Sequence, residues 1–152
     1  MSIVQILELK FVSTHTNNIN FQRDDNADEN VAIGFNVQSV ISENTMDKDE
    51  CKLTFMCDVK GINKPIDELS DIDPENYEFD FSIDLAVDYF FKIADRDGFD
   101  KLSEQEINEY CSNITYLDFR RRVLMSVSSI GIGNFRMPLS LSQLKRDDEE
   151  GN

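Results

Sequence analysis

From Tyr77 to Lys92 the chain alternates with a period of two. Tyr77, Phe79, Phe81, Ile83, Leu85, Val87, Tyr89 and Phe91 fall on one side. Glu78, Asp80, Ser82, Asp84, Ala86, Asp88, Phe90 and Lys92 fall on the other. Successive side chains of a strand point to opposite faces, so this run reads as a strand with one dry and one wet face. At strand rise it would span roughly 50 Å, which predicts a bend or bulge. A long apolar face of this kind requires a second layer to cover it.

Other runs supply the rest of a sheet. Residues 3–12 read as a first strand, followed by a turn-rich stretch at 14–18 and an apolar pair, Ile19 and Phe21. Val31, Ile33, Phe35 and Val37 alternate with Ala32, Gly34, Asn36 and Gln38. Leu53, Phe55, Cys57 and Val59 alternate in turn with Lys52, Thr54, Asp58 and Lys60. An acidic loop at 24–30, a polar connection at 43–50 and a loop at 61–76 holding Pro65 and Pro74 separate the strands. Connections this short favour an antiparallel sheet.

The covering layer comes from the second half. Thr115 has the chemistry of a helix cap, with Asp118 three residues on as its capping-box partner. Tyr116, Phe119, Val123, Val127 and Ile130 recur at helical spacing, and Gly131 and Gly133 stop the helix. Residues 95–110 read as a connector, part helix, with Ser103 as cap and Glu106 three residues on. Leu117 and Leu124 mark a second apolar face, with Ser126, Ser128 and Ser129 nearby. A helix apolar on two sides is covered by its own domain and by something else. Leu117, Arg120, Leu124 and Ser128 are therefore expected at an oligomer interface. The sum is an α+β domain over residues 1–144, a four-stranded antiparallel sheet packed on a long C-terminal helix and a short second helix. Residues 145–152 read as an acidic disordered tail.

Charge narrows the function. The formal net charge is −15, which argues against nucleic acid and anionic lipid as partners and fits a basic one. Glu78, Asp80, Asp84 and Asp88, on the wet face of the long strand, are the candidate docking surface. No apolar run approaches membrane-spanning length and no charged-then-apolar leader opens the chain, so a cytoplasmic protein is expected. Cys51, Cys57 and Cys111 lack metal spacing and read as buried free thiols. His15 is the only histidine, and no nucleophile, base or metal set assembles. The expectation is a non-enzyme without cofactor. Residues 95–106 hold the acids and glycine of a calcium loop in the wrong register: counting from Asp95 places Gly98 fourth, where such a loop needs its glycine sixth. A calcium-responsive or acidic interaction module built on this segment is the alternative reading.

The C-terminal third resembles the SecB export chaperones. Their pattern Cys-Pro-x-x-Leu-Phe-Pro-Tyr-x-Arg is met in register by Cys111, Asn113, Ile114, Tyr116, Arg120 and Val123, and their later Phe-Pro and spaced leucines are matched with a small shift by Phe135, Pro138, Leu139 and Leu141. Ser112 and Leu117 stand where the family has prolines, and Asp118 replaces its tyrosine. Phe81-Ser82-Ile83-Asp84-Leu85, Phe90-Phe91-Lys92-Ile93 and Asn18-Ile19-Asn20-Phe21-Gln22 extend the resemblance toward the N-terminus.

That resemblance implies a holdase for unfolded polypeptides, serving preprotein export or one dedicated partner such as an antitoxin. Clients of the family bind between the sheet edge, the second helix and a glycine-flanked flap. Carried onto this chain, that region holds Phe135, Met137, Leu139 and Leu141, with Phe90 as a further aromatic candidate. Strand pairing in the family makes dimers, and the long helices join dimers into tetramers. Its acidic face docks the translocation motor SecA through acids matching Asn18, Gln22 and Asp84, two of which are amides here.

Overall fold

The computed structural model describes residues 2–21, 32–43, 49–62, 81–133 and 135–150. The elements run α1 (Ile3–Ile6), β1 (Leu7–Phe21), β2 (Ala32–Glu43), β3 (Glu50–Ile62), β4 (Phe81–Ile93), α2 (Arg96–Asp100), α3 (Glu104–Ser129) and α4 (Leu141–Glu150). The strands form one antiparallel sheet in the order β1-β4-β3-β2. This is the expected α+β architecture. The acidic loop 24–30, most of the connections 43–50 and 61–76, and Glu78 and Asp80 lie outside the described residues.

β4 sits at the centre because it is the strand with the most apolar surface to bury. Phe81, Ile83, Leu85, Val87, Tyr89, Phe91 and Ile93 line its inner face, all buried. On β3 the same face is built by Cys51, Leu53, Phe55, Cys57 and Val59. α3 lies across this surface and lowers Ile107, Cys111, Tyr116, Phe119, Val123 and Val127 into it. Phe119 stacks on Phe55 with ring centroids 4.8 Å apart and planes 10° from parallel. Gly61 ends the inner face of β3 opposite Phe81. A Cβ at Gly61 would collide with the Phe81 ring, so the close approach of that ring requires glycine.

Three expectations are corrected. The first strand does not begin at residue 3 or end at 12. Ile3–Ile6 form a helical turn closed by the Gln5 N–H to the Ser2 carbonyl (2.9 Å), with Ile6 buried. β1 then continues through residues 14–18 to Phe21, because the paired β4 offers partners along its whole length. The bend predicted for the long strand falls on its partner instead: register shifts lie between Leu9 and Phe11 and between Thr14 and Thr16. Each extra residue exchanges inner and outer faces, so Leu9 pairs with inward Phe91 while Phe11 pairs with outward Phe90.

The second correction concerns the helix start. α3 begins at Glu104, capped by Ser103 in a reciprocal box with Glu106 (3.1 and 3.2 Å). No glycine or proline interrupts 104–115, so a helix nucleated at Ser103 propagates through. Thr115 therefore lies mid-helix, and its hydroxyl donates back to the Cys111 carbonyl at 2.6 Å. Gly131, at φ 88°, follows the helix end as expected. Third, α4 carries the helix through residues 145–150, the part of the chain read as tail.

Candidate functional site: a clamped flap, a bare edge and an acidic face

The segment between α3 and α4 folds back over the β2 edge. Phe135 and Met137 are buried, and the Phe135 ring meets Phe35 of β2 edge-on at 5.4 Å. Leu141 and Leu144 of α4 are buried beside them in the same core, while Leu139 is 68% exposed. Two side chains one turn apart on α3 hold consecutive carbonyls of this flap. The Tyr116 hydroxyl donates to Pro138 O at 2.6 Å, and Arg120 Nε donates to Met137 O at 3.1 Å. The glycine-flanked flap is docked by these bonds. Arg120 is accordingly turned toward the flap, which corrects its expected place on the outer face of the helix.

The opposite edge of the sheet is covered only in part among the described residues: Leu7 is buried and Val12 half-buried against the core. Leu9, Ile19 and Phe21 of β1 share the inner-face orientation of their β4 partners Phe91, Ile83 and Phe81, yet all three are exposed. On α3, Ile114, Leu117 and Met125 are exposed too, as is Ser128, while Leu124 is half-buried against the core. Phe90 does not join the flap. It lies on the outer sheet face against Phe11, centroids 5.6 Å apart, so the sheet separates it from Phe135.

The outer face carries the acids. Asp84 is exposed and pairs across the strands with Asp58 on one side and Asn18 on the other. The hydrogen bond it shares with Asp58 pushes its carboxyl above the ordinary range; burial and the Asp58 charge add to this, and Lys60 opposes it. A shallow cavity of about 290 Å³ opens here, lined by Thr16, Asn36, Gln38, Met56, Asp58 and Asp84. Asp88 departs from its expected role: it is buried, accepting from the Thr54 hydroxyl at 2.6 Å and lying 3.2 Å from His15 Nδ1. A carboxylate already engaged under two neighbours is poorly placed to meet a partner. Gln22 lies outside the described residues.

Asp118, expected as a cap partner, instead ties the two layers together. It accepts from the Tyr89 hydroxyl of β4 at 2.8 Å, from Arg122 at 2.8 Å and from Arg121 at 3.2 Å. Burial would raise this carboxyl, but those donors, Arg122 foremost, hold it below the usual carboxylate range. Among the described residues no group of three or more His, Cys, Asp or Glu side chains could hold a metal ion. Asp95 of the calcium-like segment is used as the cap of α2, accepting from Gly98 N at 3.2 Å. No helix among the described residues is long and apolar enough to cross a membrane.

No protein-family model and no curated protein matches the sequence. Among solved structures, the chain is similar to the SecB-like chaperone Rv1957 of Mycobacterium tuberculosis, solved in complex with a ChAD peptide from the Rv1956 HigA1 antitoxin. The likeness has a TM-score of 0.62 and covers 88% of this chain and 90% of the other, at 9% sequence identity. The fold is that of a SecB-like chaperone, and at that identity the likeness is one of backbone architecture.

Proposed function

We propose that this protein is a chaperone that holds non-native polypeptides, without catalysis or nucleotide, in the groove its flap closes. The observation that carries the reading is the flap itself. Phe135 and Met137 cover half-buried apolar residues of an edge strand, and two hydrogen bonds to backbone carbonyls keep them there. Released, the flap would uncover Phe35 and its neighbours Ile33 and Val37 on β2, the last strand of the sheet among the described residues, a surface suited to an extended apolar segment. The exposed Leu139 would extend that surface. A net charge of −15 would keep the loaded complex soluble. The SecB-like fold supports the reading.

The exposed Leu9, Ile19 and Phe21 of β1 and the exposed Ile114, Leu117 and Met125 of α3 support self-association into a dimer or tetramer. Within the acidic face, Asp84 with Asp58 is the remaining described docking candidate for a basic partner such as SecA. A chaperone dedicated to one partner is the second reading, favoured because the SecB-like neighbour was solved with an antitoxin peptide.

Several-fold excess of the protein should slow aggregation of chemically unfolded clients without nucleotide. Phe35→Ser combined with Leu139→Ser, which take apolar side chains from the surface a client would meet, should remove most of that protection while the far-UV spectrum stays helical and stranded. No protection of two unrelated clients would exclude a general holdase and leave the dedicated-partner reading, which pull-down from the native cell then tests.

A further inference from the structure

The inner face of β2 runs Ile33, Phe35, Val37, Ser39, Ile41, and Ser39 breaks an otherwise apolar row. Its cross-strand partner is the buried Phe55, so the hydroxyl faces inward. There it meets two polar side chains of α3 that lie one turn apart. Ser39 Oγ donates to Asn108 Oδ1 at 3.0 Å. Ser112 Oγ donates to the same oxygen at 3.0 Å and lies 3.3 Å from Ser39 Oγ. The Asn108 amide nitrogen reaches the Ser39 carbonyl at 3.4 Å. The Asn108 oxygen is thus taken twice, whereas its amide nitrogen has two hydrogens and makes one long bond among the described residues. Ser112 is buried, and Ser39 and Asn108 are half-buried. Asn108 also stands in the wall of a cavity of about 490 Å³, with Glu104, Gln105 and Glu109 of α3 and Lys145 of α4. Next to the apolar stretch that the flap covers, the groove therefore holds a polar node with a donor to spare.

We infer that Ser39 and Asn108 set the register of a bound client: its segment beside β2 places a side-chain amide, Asn or Gln, against this node and apolar side chains against Val37 and Phe35. The inference rests on the groove reading above. A strand added beside β2 puts alternate side chains on the inner face, in line with those of β2. Its inner-facing residues then meet Phe35, Val37 and Ser39 in turn, at a spacing of two. An apolar side chain at the third place would seal the spare Asn108 hydrogen away from water without a partner, which is costly. A side-chain amide accepts that hydrogen on its oxygen and offers its own to the Ser39 hydroxyl oxygen. Lys and Arg have no acceptor to give it. A carboxylate would meet Glu104 and Glu109 at the cavity. A site built to hydrogen-bond rejects the apolar look-alike more sharply than an apolar pocket rejects a polar one.

The full chain is titrated into a fluorescein-labelled peptide in which Phe, Val and Gln are separated by single serines. A twin peptide carries Met, close to Gln in shape but with almost no hydrogen-bonding capacity, in place of Gln. Both are made in both chain directions. Anisotropy should show the Gln peptide binding about tenfold more tightly than its twin in one direction. Moving the Gln by one residue, to the outer side, should erase that preference. Ser39→Val with Asn108→Leu and Ser112→Ala, which makes the node apolar, should turn the preference toward Met; should that variant not fold, the shifted peptide decides. Equal binding of Gln and Met peptides in both directions, or a preference that survives the shift or the apolar node, would overturn the inference and leave the groove reading standing. Binding of neither peptide would overturn the groove reading and this inference with it.

Discussion

The two edge strands carry similar apolar residues on the same face, but β1 leaves more of them exposed: Leu7 is buried and Val12 half-buried there, the rest are not. On β2, Ile33, Phe35, Val37 and Ile41 are tucked half-buried against the core. On β1, Leu9, Ile19 and Phe21 stand exposed. The cause is width. A helix with its side chains is about 10 Å across, and strands lie about 4.8 Å apart. α3 packs on β2, β3 and β4, and the return of the chain through the flap completes the cover over β2. Among the described residues, one helix and one flap leave part of the fourth strand exposed. Composition therefore does not decide which apolar residues are buried; the direction in which the chain turns after Gly131 does.

The largest test compares a covered residue with a bare one. Phe119→Ala removes a ring stacked on Phe55 and should cost about 3–5 kcal/mol in urea unfolding. Ile19→Ala on β1 should cost under about 1 kcal/mol in the isolated chain. If the Ile19 cost rises with protein concentration toward that of Phe119, β1 is buried in an oligomer. A small cost at every concentration would count against self-association through this edge.

Next in size is Tyr89→Phe, which cuts the tie between layers. Tyr89 donates to a carboxylate that is also held by two arginines, so the loss should be about 1.5–3 kcal/mol at neutral pH. The pH dependence has a definite sign. The folded Asp118 carboxyl lies below its unfolded value. Its stabilisation is thus present above the unfolded carboxylate range, near 3.9, and is lost as pH falls through the folded value. Wild type and variant should converge in acid. A gap unchanged down to pH 2 would show that Tyr89 acts by packing alone.

A smaller effect is expected at the flap. Tyr116→Phe removes one of its two carbonyl clamps and should cost about 1 kcal/mol. Amide exchange across residues 135–140 should quicken about fivefold, with α3 unchanged. On the proposed function, protection of unfolded clients should improve, since opening becomes easier. Faster flap exchange with unchanged client protection would place the client elsewhere.

The sheet and the long helix were legible because their signals are local. Period-two runs mark β2, β3 and β4, and the spacing of Tyr116, Phe119, Val123 and Val127 marks the helix face that is buried. What misled was the choice among local signals that tertiary pairing arbitrates. Thr115 and Ser103 both look like caps, and only continuity of the helix separates them. Residues 14–18 have turn chemistry, but pairing with β4 holds them extended. The clamp was hidden for a different reason. Tyr116 reads as core, and nothing in its neighbours shows that its hydroxyl will meet a carbonyl 22 residues away. Its one signal was a hydroxyl on a residue bound for the interior, which demands a partner. Asp88 reads as wet by parity; the bulged β1 brings His15 over it.

The smallest effect joins the two edges. Asn18, Asp84, Asp58 and Asn36 are successive cross-strand partners from β1 to β2, an amide at each edge and two acids between. The hydrogen bond with Asp58 makes the folded Asp84 carboxyl harder to ionise. A raised folded value contributes stability that is present below the unfolded value and lost as pH rises through the folded one. Once ionised, Asp84 faces the acidic Asp58 across the strands. Asp84 is exposed, so water and salt screen the repulsion, and Asp84→Asn should stabilise by no more than about 0.5 kcal/mol. The gain should shrink in high salt and in acid, where protonation of Asp84 leaves the variant nothing to relieve. A variant less stable than wild type at neutral pH would mean that the pair is held together by a cation, and would make this row a binding site in place of a solvated one.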